Sequence, residues 1–103
     1  YILNYDTEGV YSIDLDGGQQ KFFSYTFKSP TNTYKLLRPY IATPYNNNSL
    51  TYYGVGKDKA IPYGNGNGEI WVESIGTNNV KIGLENTTTS IKTFQLNDIE
   101  VVV

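Results

Sequence analysis

The sequence predicts an all-β protein: an antiparallel β-sandwich or jelly roll of about eight strands, with no substantial helix. Three observations carry that expectation. Apolar and polar residues alternate over short runs, which is the period of a half-buried strand. Those runs are separated at short intervals by Gly, Asn, Asp and Pro, the residues that form turns. Strand formers abound, with ten tyrosines in 103 residues, whereas alanine stands only at Ala42 and Ala60. A small closed barrel is the alternative architecture. No internal repeat or linker interrupts the chain, so residues 1–103 read as one domain.

Ile2–Tyr5 reads as a first short strand and Asp6–Gly9 as a turn. Val10–Leu15 alternates, placing Tyr11, Ile13 and Leu15 on one face. Asp16-Gly17-Gly18 is a strong turn signal, and Gln20–Lys28 alternates after it with Phe23, Tyr25 and Phe27 together. The two runs are expected to pair as a hairpin. Ser29–Asn32 turns the chain into Thr33–Ala42. Pro39 cannot donate to a ladder and makes that run an edge strand or a bend. Tyr45–Ser49 is a polar loop, Leu50–Val55 a strand and Lys57-Asp58-Lys59 a charged turn.

Pro62–Leu84 is the stretch around which the reading is organised. Gly64-Asn65-Gly66-Asn67-Gly68 reaches positive φ cheaply, so it reads as a loop and not a helix. Glu69–Ile75 and Val80–Leu84 then form the arms of a hairpin, and two registers are open. A three-residue loop at Thr77–Asn79 pairs Gly76 with Val80 and Val72 with Leu84, turning Trp71 to the face of Glu69, Glu73 and Gly83. A two-residue turn at Asn78-Asn79 pairs Ile75 with Ile82 and turns Trp71 inward. The first is favoured because it gathers Ile70, Val72, Ile82 and Leu84 and keeps Glu73 in water. Beyond a polar loop at Glu85–Ser90, Ile91–Leu96 and Ile99–Val103 read as strands. The closing Val101-Val102-Val103 must be paired or buried, since a bare apolar edge invites aggregation.

Composition narrows the function. Eight basic and ten acidic side chains give a net charge of −2, so nothing marks a nucleic-acid or anionic-membrane surface. No apolar run is long enough to span a membrane, and no signal peptide is read. The chain opens on Tyr1 and not on Met, as a processed form or an excised domain would. It contains no cysteine and no histidine, so thiolate metal sites and His- or Cys-based nucleophilic catalysis are not available. Glu69 and Glu73, four apart on one strand, are separated by roughly 13 Å, too far for either glycosidase geometry. The expectation is a protein that is not an enzyme and that lies outside the cell or on its surface.

The informative cluster is aromatic and amide-rich. Trp71, Tyr63, Tyr52, Tyr53 and Tyr45 lie close in sequence, interleaved with Asn46, Asn47, Asn65 and Asn67. Rings stack on the apolar faces of sugars, and amides bond the hydroxyl fringe, so these nine residues are the candidate ligand-binding set for a polysaccharide. The same side chains suit a protein interface, and tyrosines also cap small cores with their hydroxyls in water. Asp14-Leu15-Asp16-Gly17-Gly18 resembles the opening of a calcium loop, but the twelfth position is Tyr25, so the motif is incomplete. Calcium from Asp14, Asp16 or Asp6-Thr7-Glu8 stays a minor option, and no other cofactor is expected. The glycine-rich run lacks the Lys-Ser/Thr and helix start of a phosphate loop. Sequons occur at Asn47 and Asn86.

Tyr11–Gly18, Phe23–Phe27 and Gly68–Ser74 together show a strand–Gly-Gly–strand rhythm. It resembles secreted bacterial β-sandwich accessory modules, among them carbohydrate-binding modules and the C-terminal sandwich domains of secreted peptidases. The resemblance spans about half the chain and transfers no binding residue. It implies a non-catalytic appended domain that binds polysaccharide or another surface polymer. The alternative is a structural or adhesive domain of a surface fibre, phage tail or other assembly, where the tyrosines would meet a neighbouring protomer.

Overall fold

The computed structural model describes residues 2–4, 12–26, 40–43, 51–52, 54–76 and 79–102. They form β1 (Ile2–Asn4), β2 (Ser12–Leu15), β3 (Gln20–Thr26), β4 (Tyr40–Ala42), β5 (Thr51–Tyr52), β6 (Ile61–Tyr63), β7 (Gly68–Ile75), β8 (Asn79–Asn86), β9 (Lys92–Gln95) and β10 (Glu100–Val102), with one 3-10 turn at Lys57–Lys59. The fold is antiparallel β, as the alternation and the turn residues require, and no α-helix occurs among the described residues. The strands number ten among those residues, several only two or three residues long, where about eight were expected.

Hydrogen bonding groups them as β1-β10-β4-β5, β2-β9 and β3-β8-β7-β6. One apolar cluster joins all three ladders: Leu15 from β2, Phe23 and Tyr25 from β3, Ile41 from β4, Ile70 and Val72 from β7, Ile82 and Leu84 from β8, Phe94 from β9 and Val101 from β10. The closing strand is paired on both sides, by β1 and by β4, so Val101 and Val102 are not a free edge.

The turn at Asp16–Gln19 is not a hairpin. β2 pairs with β9 and β3 with β8, so the turn carries the chain from one ladder to another. Gly18 takes φ +79°, and a Cβ on Gly17 would lie 2.6 Å from the Thr89 carbonyl carbon. The Gly18 N–H donates to the Asn86 carbonyl at 2.8 Å and the Asn86 N–H to the Gln19 carbonyl at 3.0 Å. Two glycines thus permit a close crossing over the 86–90 loop, a use of Gly-Gly that local sequence does not separate from a hairpin.

β7 and β8 adopt neither expected register. Ile75 pairs with Val80 and Ser74 with Lys81, then Glu73 bulges, and Val72 pairs with Ile82, Trp71 with Gly83 and Ile70 with Leu84. The Gly76 N–H donates to the Asn79 carbonyl at 2.8 Å, and Val80 pairs one residue earlier on β7 than in the first alternative and two earlier than in the second. The bulge adds one residue on β7 and restores the favoured grouping, with Ile70, Val72, Ile82 and Leu84 in the core and Trp71 on the opposite face. The glycine-rich run is a tight connection: Ile61 pairs with Ile70 and Tyr63 with Gly68 across it. Pro62 sits in this edge strand, where its missing N–H leaves no gap in the ladder. The expected turns at Asp6–Gly9 and Ser29–Asn32, the bend at Pro39 and the Tyr45–Ser49 loop lie outside the described residues.

Candidate functional site

The most distinctive surface lies on the side of the β3-β8-β7-β6 sheet that faces away from the core. Strand alternation places Gln20, Phe22 and Ser24 of β3, Lys81, Gly83 and Glu85 of β8, and Glu69 and Trp71 of β7 on this side. The favoured register turns Trp71 to this side, where it is a candidate ring for a ligand. It is there, but only 1% of its surface is exposed.

Four features bury it. Gly83 opposite has no side chain, and the indole fills that space: a Cβ on Gly83 would lie 2.3 Å from Cε2 of the ring. Phe22 meets the indole edge-on, with centroids 6.1 Å apart at 86°. The Lys57 ammonium stands 5.7 Å from the ring centroid and 3.5 Å from Glu85 Oε1. The segment carrying Lys57 is fixed to β7 by a single parallel bridge, Val55 to Val72, and by the Gly56 N–H donating to the Val72 carbonyl at 2.8 Å. Gln20 Nε2 donates to the same Glu85 carboxylate at 2.7 Å. Glu69 faces Glu85 across the ladder, so Lys57 supplies the positive charge between β7 and β8 that two carboxylates need. The indole N–H has no hydrogen-bond partner. Packing must therefore outweigh an unsatisfied donor that costs about 1–3 kcal/mol.

Tyr63 is also removed from the ligand set. It is fully buried on the core side, stacks on Phe94 with centroids 6.3 Å apart, and donates its hydroxyl proton to the Gln95 carbonyl. Trp71 and Tyr63 thus belong to opposite sides of one sheet and do not form a joint platform. Asn65 is exposed at the β6–β7 turn with φ +58°, and Asn67 is half-buried beside it. Tyr52 lies in β5 opposite Tyr40. Tyr45, Tyr53, Asn46 and Asn47 lie outside the described residues. Among the described aromatic side chains only Phe22 is exposed, at 38%, and the Lys81 ammonium stands 5.0 Å from its ring centroid.

Phe22, Lys57, Gln20 and Glu85 were not singled out from sequence. Two signals in the sequence bear on this face, one at Phe22 and one at Gly83. Phe22-Phe23 places one ring on each side of a strand, and an isolated glycine within a strand marks a close approach by another group. Lys57 reaches the site through the fold alone.

Asn86 is a structural hub. It is fully buried. Its Nδ2 donates to the Leu15 carbonyl at 2.8 Å and the Ser90 carbonyl at 2.9 Å, while its Oδ1 accepts from the Thr88 N–H at 2.9 Å and Thr88 Oγ1 at 2.7 Å. An amide with both ends engaged in the interior is not open to glycosylation in the folded chain. Asp14 accepts a hydrogen bond from Thr93 Oγ1 across β2 and β9. Among the described residues no three acidic side chains converge as a metal site, and no helix is long and apolar enough to cross a membrane. Comparison of the chain with protein-family models, with curated proteins and with solved structures gave no match.

Proposed function

We propose that this chain is a non-catalytic β-sandwich module of a secreted or surface protein, and that its partner is a protein surface. The observation that carries this reading is the make-up of the outward sheet face. Phe22, the one exposed ring among the described residues, has the Lys81 ammonium over it and shares this face with Gln20, Glu69 and Glu85, while Lys57 stands beside Trp71 and Glu85. An aromatic centre with a charged rim of both signs is the composition of a protein contact patch. A sugar platform needs an open ring face, and here lysine ammoniums stand over both Trp71 and Phe22. The absence of histidine and cysteine from the sequence and the engagement of Glu85 by Gln20 and Lys57 support a role without catalysis.

The partner in this reading is a neighbouring subunit of a surface fibre, phage tail or similar assembly. Sedimentation velocity over a wide concentration range tests it, using the natural chain and Phe22→Ser. Concentration-dependent association that Phe22→Ser weakens is the expected result. A monomer at every concentration, with a polysaccharide bound equally by both chains, would overturn it. One observation favours the second reading, glycan binding in the manner of the accessory modules this sequence resembles: Asn65 is exposed at the β6–β7 turn, with Asn67 half-buried beside it.

A further inference from the structure

The β6–β7 connection contains two Asn-Gly steps, Asn65-Gly66 and Asn67-Gly68, and the structure treats them differently. We propose that Asn65 is a site of spontaneous modification and that Asn67 is protected. An Asn-Gly step converts when the following backbone nitrogen attacks the side-chain amide carbon. A new C–N bond closes a five-membered imide, the nitrogen gives up its proton, and the side-chain nitrogen leaves as ammonia. Water then opens the imide at one carbonyl or the other, giving aspartate or isoaspartate. No oxidant or reductant is involved.

The reaction needs an accessible amide, a following N–H without a partner and room to bend. Asn65 is exposed, and Gly66 is exposed with nothing within 4 Å of the place a Cβ would occupy. The Gly66 N–H has no hydrogen-bond partner among the described residues. The turn is clasped at its base by one bond, from the Asn67 N–H to the Gly64 carbonyl at 3.1 Å. Ring closure at Asn65 therefore requires only local opening of an exposed turn.

Asn67 meets none of these conditions as well. Its carbonyl accepts from the Thr87 N–H at 3.0 Å and from Thr87 Oγ1 at 3.2 Å. Gly68 is buried and pairs with both Tyr63 and Asn86. A Cβ there would lie 2.4 Å from the Glu85 carbonyl oxygen and 2.7 Å from the Phe94 ring. Bending at Asn67-Gly68 requires β7 to part from β8. Conversion at Asn65 adds a negative charge to the turn that leads into Glu69, and the isoaspartate form lengthens the turn backbone by one carbon.

The test is peptide mapping by mass spectrometry after ageing the folded chain at mildly alkaline pH, with the tryptic peptide Ala60–Lys81 aged in parallel. In the free peptide both steps are expected to convert at similar rates. In the folded chain Asn65 is expected to convert on the order of tenfold faster than Asn67, equivalent to ~1.4 kcal/mol of difference in opening free energy. Asn65→Gln should remove the fast event and leave the slow one. Equal conversion of the two sites in the folded chain, or faster conversion of Asn67, would overturn the proposal. So would an Asn65 left intact while the free peptide converts.

Discussion

Trp71 faces away from the core and is still buried, because Gly83 leaves space beneath the ring and Lys57 stands over it. Removing the ring should therefore act on stability. Trp71→Ala should lower unfolding free energy by about 3–5 kcal/mol in a denaturant titration. Trp71→Phe should cost less than about 1.5 kcal/mol, because it keeps much of the packing and deletes the unpaired indole N–H. Gly83→Ala tests the same contact from the other strand. A methyl 2.3 Å from the indole must displace it, at a cost of about 1–3 kcal/mol. If Trp71→Ala left stability unchanged, the packing described for this face would be wrong. The sequence pattern placed Trp71 on the correct side of β7 but could not indicate burial, since Lys57 arrives from a separate turn.

The elements show what alternation can specify and what it cannot. Core membership of Phe23, Tyr25, Ile70, Val72, Ile82, Leu84, Phe94, Leu96 and Val101 follows from period two and was legible. Partner choice was not. The Asp16-Gly17-Gly18 turn reads as a hairpin, yet its strands join different ladders because the 86–90 loop packs against the turn. The β7–β8 register also escaped, since a bulge at Glu73 shifts pairing without changing which side chains are apolar. Asn86 fixes the crossing of these elements through contacts to Leu15, Thr88 and Ser90. Asn86→Ala should cost at least about 2 kcal/mol and broaden the amide signals of both the 16–19 turn and the 86–90 loop. Full stability with unchanged spectra would show that those bonds do not hold the crossing. Expressed through a eukaryotic secretory pathway, the folded chain should carry no glycan on Asn86, and glycopeptide mapping reads that directly.

For the whole molecule, the sequence conveyed an antiparallel β fold and a paired closing strand. The candidate site was legible only in part. Of the nine nominated side chains, Tyr45, Tyr53, Asn46 and Asn47 lie outside the described residues, and Asn65 and Asn67 sit in the β6–β7 turn, where local pattern gives no contact information. Trp71 and Tyr63 were nominated because aromatic residues serve binding and packing equally, and only the three-dimensional arrangement separates those uses. What replaces them is a sheet face with Phe22 exposed and charges of both signs about it. On the proposed reading, Lys57→Glu should do two things. It should destabilise the chain modestly, by about 1 kcal/mol for a half-exposed ion pair with its ring contact, and it should weaken association more strongly than stability. Loss of stability without loss of association would place the contact surface elsewhere.

Trp71 is a packed residue under Lys57 and not an open platform for sugar. The emission spectrum of the chain's only tryptophan, recorded with acrylamide quenching and during titration with a panel of soluble polysaccharides, tests it most directly. A packed indole gives blue emission, poor quenching and no response to any polysaccharide. Red-shifted emission that quenches freely and moves with one polysaccharide would contradict it and restore Trp71 to a glycan-binding face.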